Sequence, residues 1–420
     1  YSIDSLKGIS CFVIAFFWHY LNMQSKSAGM PFQTIFSNFY NWGQYFVELF
    51  FMISGFVMSY CYKEKIDEGM DFLPYMSKRY KHLYPLFFNT LLVMVFLQSI
   101  YYAITGSYYV YKVSPWHFIL NVLCIQTGWL TIDQSFNGPA WCVSVEIFLY
   151  IMFYITTKIS KKDKNLYSVI NVAIIIISLG LLYAGIIDKP IINTFMFRGI
   201  ACFYIGVMIC TFNDILENAE KRTISLQMLL GFTVFYIAVR FSQYTFWEND
   251  RVGQFILILV VWPILLFAVV NCVLLRKFME IKPLCFLGNI SMDIFLWHIP
   301  VQITMKILDK VLNLHINYGS RLVWTLYVIL VFIVSVISNA LMKKNIRIKN
   351  RYVVKFLVTI ICTCLALFFT DVVGIRLKCT LDNSLTYSDS NRVVTYTPGV
   401  TMKESFIVAK DTYLEKLQLY

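Results

Sequence analysis

The sequence predicts an all-α polytopic membrane protein. Three observations predict it. Of 420 residues, 58% are hydrophobic and 17% aromatic, only 14% are charged, and the apolar residues gather into runs long enough to cross a bilayer. A mean hydropathy of +0.64 is more apolar surface than a water-soluble chain of this length can hide. The runs lie at about 8–24, 44–62, 83–104, 140–157, 168–187, 191–212, 224–241, 252–275, 283–306, 322–342 and 352–373, which gives eleven helices by length. Segment 116–131 is shorter and more polar, and reads as a re-entrant or interfacial helix.

The first run carries one titratable side chain near its far end. His19 lies about 16 Å beyond Gly8 on a helix rising about 1.5 Å per residue. An ionisable group at that depth costs free energy unless it has a partner or a task, and both helix-to-helix hydrogen bonding and chemistry qualify. No small-residue cleavage pattern follows the run, so it reads as a span and not a signal peptide. Because the chain opens on Tyr1, a few further residues are expected before it.

Orientation follows from the cations. Lys63, Lys65, Lys78, Arg79 and Lys81 follow the second run, and Lys158, Lys161, Lys162 and Lys164 the fourth. Lys221 and Arg222 follow the sixth, Arg276, Lys277 and Lys282 the eighth, and Lys343, Lys344, Arg347, Lys349 and Arg351 the tenth. The alternate loops are poor in Lys and Arg, so the positive-inside rule puts the N-terminus and the basic loops in the cytoplasm and the tail outside. Cations grouped this way mark topology, and the net charge of +12 does not indicate nucleic acid. Most of the eleven cysteines sit inside apolar runs as small hydrophobes, with no CxxC pair, so no metal site is expected.

The tail changes character. Asn391–Thr397 and Ser405–Ala409 read as short strands around a turn at Thr397–Val400. Residues 375–420 therefore read as the opening of an extracellular β domain, short and incomplete, with a disordered tail as the competing reading.

With orientation set, polar groups can be compared in depth. His19 ends the first run, Glu48 starts the second, Glu146 lies two turns into the fourth, Arg198 opens the sixth and His298 sits in the outer half of the ninth. Five such groups in one outer layer point to a buried polar site suited to general acid–base chemistry or to a proton relay. On the inner side, Arg79, Lys81 and His82 stand where the third run leaves the cytoplasm. They read either as a topology signal or as a clamp for phosphate.

Five stretches carry a resemblance to a known family. Ile3-Asp-Ser-Leu-Lys-Gly-Ile, with His19 beyond it, resembles a first helix that begins Asp-Gly-Leu-Arg-Gly and ends in a functional His. Glu48-Leu-Phe-Phe-Met-Ile-Ser-Gly-Phe56 resembles an acidic-Leu-Phe-Phe-x-Leu-Ser-Gly-Phe stretch, and Arg79-Tyr-Lys-His82-Leu-Tyr-Pro85 an Arg-x-x-Arg-Ile-Tyr-Pro stretch. Trp141-Cys-Val-Ser-Val-Glu146 resembles Trp-Ser-Leu-Ser-Val-Glu, and Ser291-Met-Asp-Ile-Phe-Leu-Trp-His298 resembles Ser-Tyr-x-Ile-Tyr-Leu-Trp-His. In this order they resemble the acyltransferase-3 family of integral membrane enzymes. Two departures stand out. Lys7 replaces an Arg and lies one residue further from His19 than the family spacing, and His82 replaces the second Arg of its stretch.

The resemblance implies a ten-helix acyltransferase core over residues 1–345, an additional transmembrane helix over 346–374 and an outside tail over 375–420. It implies an acyl-CoA donor, acetyl-CoA in the first instance, on the cytoplasmic side of a plasma membrane, and a carbohydrate hydroxyl as acceptor outside, in contact with membrane lipid and without a metal. His19 is then general base or acyl carrier, with Glu48 or Glu146 orienting it. Arg79, Lys81 and His82 hold the CoA phosphates. Arg198 serves the oxyanion or an acidic sugar, or simply pairs with a carboxylate; His298 and Trp141 stand toward the acceptor. The alternative is a transporter or flippase for a lipid-linked glycan. The absence of a second copy of the His19 or Trp141 stretch counts against it.

Overall fold

The computed structural model describes residues 2–23, 29–185, 189–216, 220–221, 223–229, 250–345, 387–389 and 392–394. Among these, seven helices are long and apolar enough to cross a membrane, and a bent pair makes an eighth. The chain is a multi-pass membrane protein. The expected run at 352–373 and most of that at 224–241 lie outside the described residues.

The first run is helical throughout but changes its winding twice. Helix α1 (Ser2–Val13) passes into a π turn (Ile14–Trp18) and then a 3-10 turn (His19–Met23). Rewinding frees backbone carbonyls, which need partners where water is absent. Tyr327 Oη donates to the Ala15 carbonyl (3.1 Å), Trp324 Nε1 to that of Phe16 (2.7 Å) and Gln302 Nε2 to that of His19 (2.9 Å).

Helices α2 (Gln33–Trp42) and α3 (Phe46–Asp67) follow, then α4 (Phe72–Thr105). Helix α4 starts eleven residues before the apolar run expected at 83, because Asp71 supplies an extended N-cap and nothing breaks the helix until Gly106, at φ 74°. Arg79, Lys81 and His82 therefore stand on a helix and not in a loop. The segment at 116–131 does not cross: only α5 (Pro115–Val122) is helical, started by Ser114, whose side chain accepts from the His117 N–H, and by Pro115 at the first position.

Helices α6 (Trp141–Ser160), α7 (Lys164–Ala184) and α8 (Thr194–Ile215) come next. Then α9 (Asp250–Ile256) runs through a π turn into α10 (Trp262–Asn271), and Cys272 breaks the eighth run before α11 (Val273–Met279). The ninth run is bent by 64° between α12 (Lys282–Asn289) and α13 (Ser291–Val311), and α14 (Arg321–Asn345) closes the bundle. In the tail, Tyr387–Asp389 and Arg392–Val394 form a three-residue antiparallel hairpin. Arg392–Val394 falls within the first predicted strand, and the predicted turn at Thr397–Val400 and the second predicted strand lie outside the described residues.

Helix α3 is central. The most apolar stretch of the α3 span is 72% buried, as is that of the α6 span, against 17% for α7, whose Ile176 and Ile177 face outward. Helices α3 and α8 meet at their glycines. A Cβ on Gly55 would lie 1.9 Å from the Phe203 carbonyl oxygen, and one on Gly206 1.9 Å from that of Met52. Small residues let backbones approach this closely, and dispersion then supplies the helix attraction that lipid does not. This crossing sets Glu48 of α3 against Arg198 of α8.

Candidate active site

The five polar groups of the apolar runs resolve into two pairs and a separate carboxylate. The first pair is His19 and His298. Their rings stack at 4.9 Å between centroids, with His298 Nε2 2.9 Å from His19 Nδ1. His298 Nδ1 lies 3.2 Å from the Ile294 carbonyl oxygen, one turn back on α13. A carbonyl only accepts, so His298 Nδ1 carries the hydrogen, and its Nε2 accepts from His19 Nδ1–H. His19 is left with Nε2 as a lone-pair acceptor. His298 is fully buried, and His19 is half-buried.

Prolines and amides hold this pair in place. Pro300 lacks the N–H that would reach the Leu296 carbonyl, and Asn137 Nδ2 donates to that oxygen instead at 2.9 Å. Gln302 bridges the His19 carbonyl and Tyr327 Oη. In the loop after α4, burial pushes the Tyr109 hydroxyl well above its usual pKa, so it stays a donor, 3.3 Å from Gln302 Oε1.

The second pair is Glu48 and Arg198. Arg198 Nε donates to Glu48 Oε1 at 2.8 Å, and Gln254 Nε2 to the same oxygen at 3.0 Å. Glu48 is fully buried and its Oε2 has no partner. Trp141 packs against Phe51 and Phe195, with the Arg198 guanidinium 5.8 Å from its ring. The indole is 6% exposed, so it is a packing residue and not an open platform.

Glu146 does not join the outer layer. Its Oε1 accepts from Ser54 Oγ at 2.7 Å and from Tyr150 Oη, while Oε2 is buried without a partner. Ser54 lies six residues along α3 from Glu48, about 9 Å deeper. Neither Glu48 nor Glu146 is the hydrogen-bond partner of His19. This corrects the expectation of a carboxylate behind that imidazole: the packing of α13 along the first run and its rewound end puts His298 there.

Glu146 instead lines a cavity of about 930 Å³ together with Lys7, Arg79, Lys81 and His82. Arg79 donates to Tyr62 Oη and covers that ring at 4.5 Å, with its Nε buried and unpartnered. Among the described residues it makes no salt bridge, so a half-buried guanidinium lines the cavity without a directly paired carboxylate. The opposite wall carries Asp293, which accepts from Ser338 Oγ at 2.7 Å and Asn339 Nδ2 at 2.8 Å.

Sequence reasoning missed several of these partners. Tyr150 lies four residues after Glu146 and Gln302 four after His298, the spacing at which helical side chains meet. Ser54 and Gln254 reach their carboxylates only through tertiary packing.

No solved structure matches the chain. A stretch of 166 residues is 26% identical to Acyltransferase MdmB of Streptomyces mycarofaciens, covering 38% of this chain and 40% of that protein. The chain thus aligns with less than half the length of that curated relative. A family model described as an acyltransferase domain matches residues 1–340, from the first helix through most of α14. The chain belongs to the acyltransferase-3 family.

Proposed function

We propose that the protein is a membrane acyltransferase that moves an acyl group, acetyl in the first instance, from acyl-CoA to a hydroxyl of a cell-surface carbohydrate. The N-terminus and basic loops face the cytoplasm, the membrane is the plasma membrane, and the donor enters from the inner side. Family membership supports acyl transfer. The observation that carries the mechanism is the hydrogen-bond series from the Ile294 carbonyl through His298 to His19, which leaves His19 Nε2 as a base.

In this reading the acceptor O–H gives its proton to His19 Nε2 as its oxygen attacks the thioester carbonyl. The C–O bond forms, the C–S bond breaks, and the CoA thiolate takes the proton back from Nε2. His298 holds the tautomer and shares the imidazolium charge, as third groups do in other base arrangements. Arg79, without a salt bridge among the described residues, is a ready partner for a CoA phosphate, with Lys81, His82 and Lys7 as added charge at the same cavity. Arg198 is committed through Nε to Glu48 and stands as a structural ion pair.

The test is acyl-CoA turnover by purified protein with glycan acceptors, comparing the parent with His19→Ala and Arg79→Ala. Acceptor-dependent release of free CoA should vanish in His19→Ala at unchanged folded yield. Arg79→Ala should raise KM for the donor about tenfold or more, the loss of one charge-assisted contact. A parent that neither binds nor consumes acyl-CoA would overturn the reading and leave the carrier for a lipid-linked glycan, to be measured as flux across proteoliposomes.

A further inference from the structure

Neither His19 nor His298 lines the cavity, and two aromatic rings link its lining to His298. Phe50 lines the cavity. Its ring stacks on Phe295 at 6.2 Å between centroids and 6° between planes, and the Phe295 ring lies 6.1 Å from that of His298. On α13, Met292 lines the cavity, Phe295 lies three residues on and His298 three further, each a helical neighbour of the one before. On α3 the cavity-lining stripe Phe50, Ser54, Val57 and Met58 keeps the same helical spacing, with Phe50 at the end away from Arg79. Met58 and Phe50 are eight residues apart, about 12 Å along the helix. A donor anchored by its phosphates at Arg79 therefore extends toward the ring pair, and Phe295, 5% exposed, closes the far side.

We propose that the stacked Phe50–Phe295 pair is the wall against which the acyl group of the bound donor is seated, and that its bulk sets the length of acyl chain the protein accepts. This rests on the acyltransferase reading above. A methyl tail fits against a ring without displacing it. Each added methylene needs room that the rings already fill, and close-packed interiors resist such insertion. The two phenylalanines come from different helices and neither carries the proton chemistry, so their role is selection and positioning.

Binding of acetyl-CoA, butyryl-CoA and hexanoyl-CoA to the purified protein, measured by calorimetry, tests this without any acceptor. In the parent, affinity should fall by about tenfold or more between successive donors, the discrimination that a filled apolar site gives per added carbon unit. Phe50→Ala and Phe295→Ala should each bind acetyl-CoA and lose most of that dependence on length. Phe50→Leu and Phe295→Leu, which keep much of the bulk, should retain the parent profile. Ala variants that bind acetyl-CoA yet keep the parent profile would overturn the role of the wall alone, as would a parent indifferent to chain length. A parent that binds no acyl-CoA would overturn the proposed function instead. If one Ala variant does not purify as a folded species, the other probes the same wall from the opposite helix.

Discussion

A neutral imidazole is a weaker orienting group than a carboxylate, yet behind His19 it fixes the same two things, the tautomer and the ring angle. The Ile294 carbonyl is the true anchor, since it alone in the series cannot donate. Removing His298 leaves His19 free to rotate and to swap its hydrogen between nitrogens. His298→Ala should therefore lower kcat by about 10²–10⁴-fold, the range for a displaced general base, with KM for acyl-CoA unchanged. Steady-state kinetics on folded protein check this; an unchanged kcat would reduce His298 to packing. At this scale the sequence was readable where a residue was costly in lipid. His19, Glu48, Arg198 and His298 stand out as polar groups in apolar runs, and a carboxylate partner for Arg198 is among the readings the sequence allows. Glu146 stands out equally, but its neighbours depend on how α3 crosses α6, which the sequence does not carry. Phe50 and Phe295 carried no signal at all, being apolar residues among apolar residues.

Among the elements, the α3–α8 crossing is the joint that the rest leans on. A methyl group on Gly55 or Gly206 meets backbone, which cannot step aside as a flexible side chain can. Gly55→Ala and Gly206→Ala should each lower the thermal unfolding temperature in detergent, with a cost of about 1–3 kcal/mol for overpacking. Gly180→Ala, in the lipid-facing α7 with nothing within 4 Å of the new Cβ, should be neutral or stabilise by up to about 1 kcal/mol. Equal effects at the three positions would show that the crossing is not tight. Helix existence was legible from apolar run length, but helix ends were not. Helix α4 continues through the polar stretch before residue 83 because a cap and the absence of a breaker decide its start, whereas hydropathy registers only the part in lipid. The bend between α12 and α13 falls at Gly288-Asn289-Ile290-Ser291, a turn signal that a hydropathy window averages into the surrounding apolar run.

Over the whole molecule, the proposed orientation puts the α6–α7 connection inside and the loop between α5 and α6 outside. A membrane-impermeant thiol reagent added to intact cells should label Leu130→Cys, which is 45% exposed in that outer loop, and should spare Lys161→Cys until the membrane is opened. The reverse pattern would invert the topology and with it the side from which the donor enters. This orientation rests on the alternating basic loops, a charge bias that is a property of the chain and not of its packing.

Between Lys7 and His19 the chain counts one residue more than the motif it resembles. The π turn at Ile14–Trp18 is a natural home for that residue, because each of its hydrogen bonds spans five positions where an α-helix spans four. The surplus is absorbed as a local widening of the coil, capped from outside by Tyr327 and Trp324, and the helix beyond it still delivers His19 to His298. Insertions in this helix are then not failures of alignment but changes of winding: two chains differing by one residue here can present the same imidazole to the same neighbour.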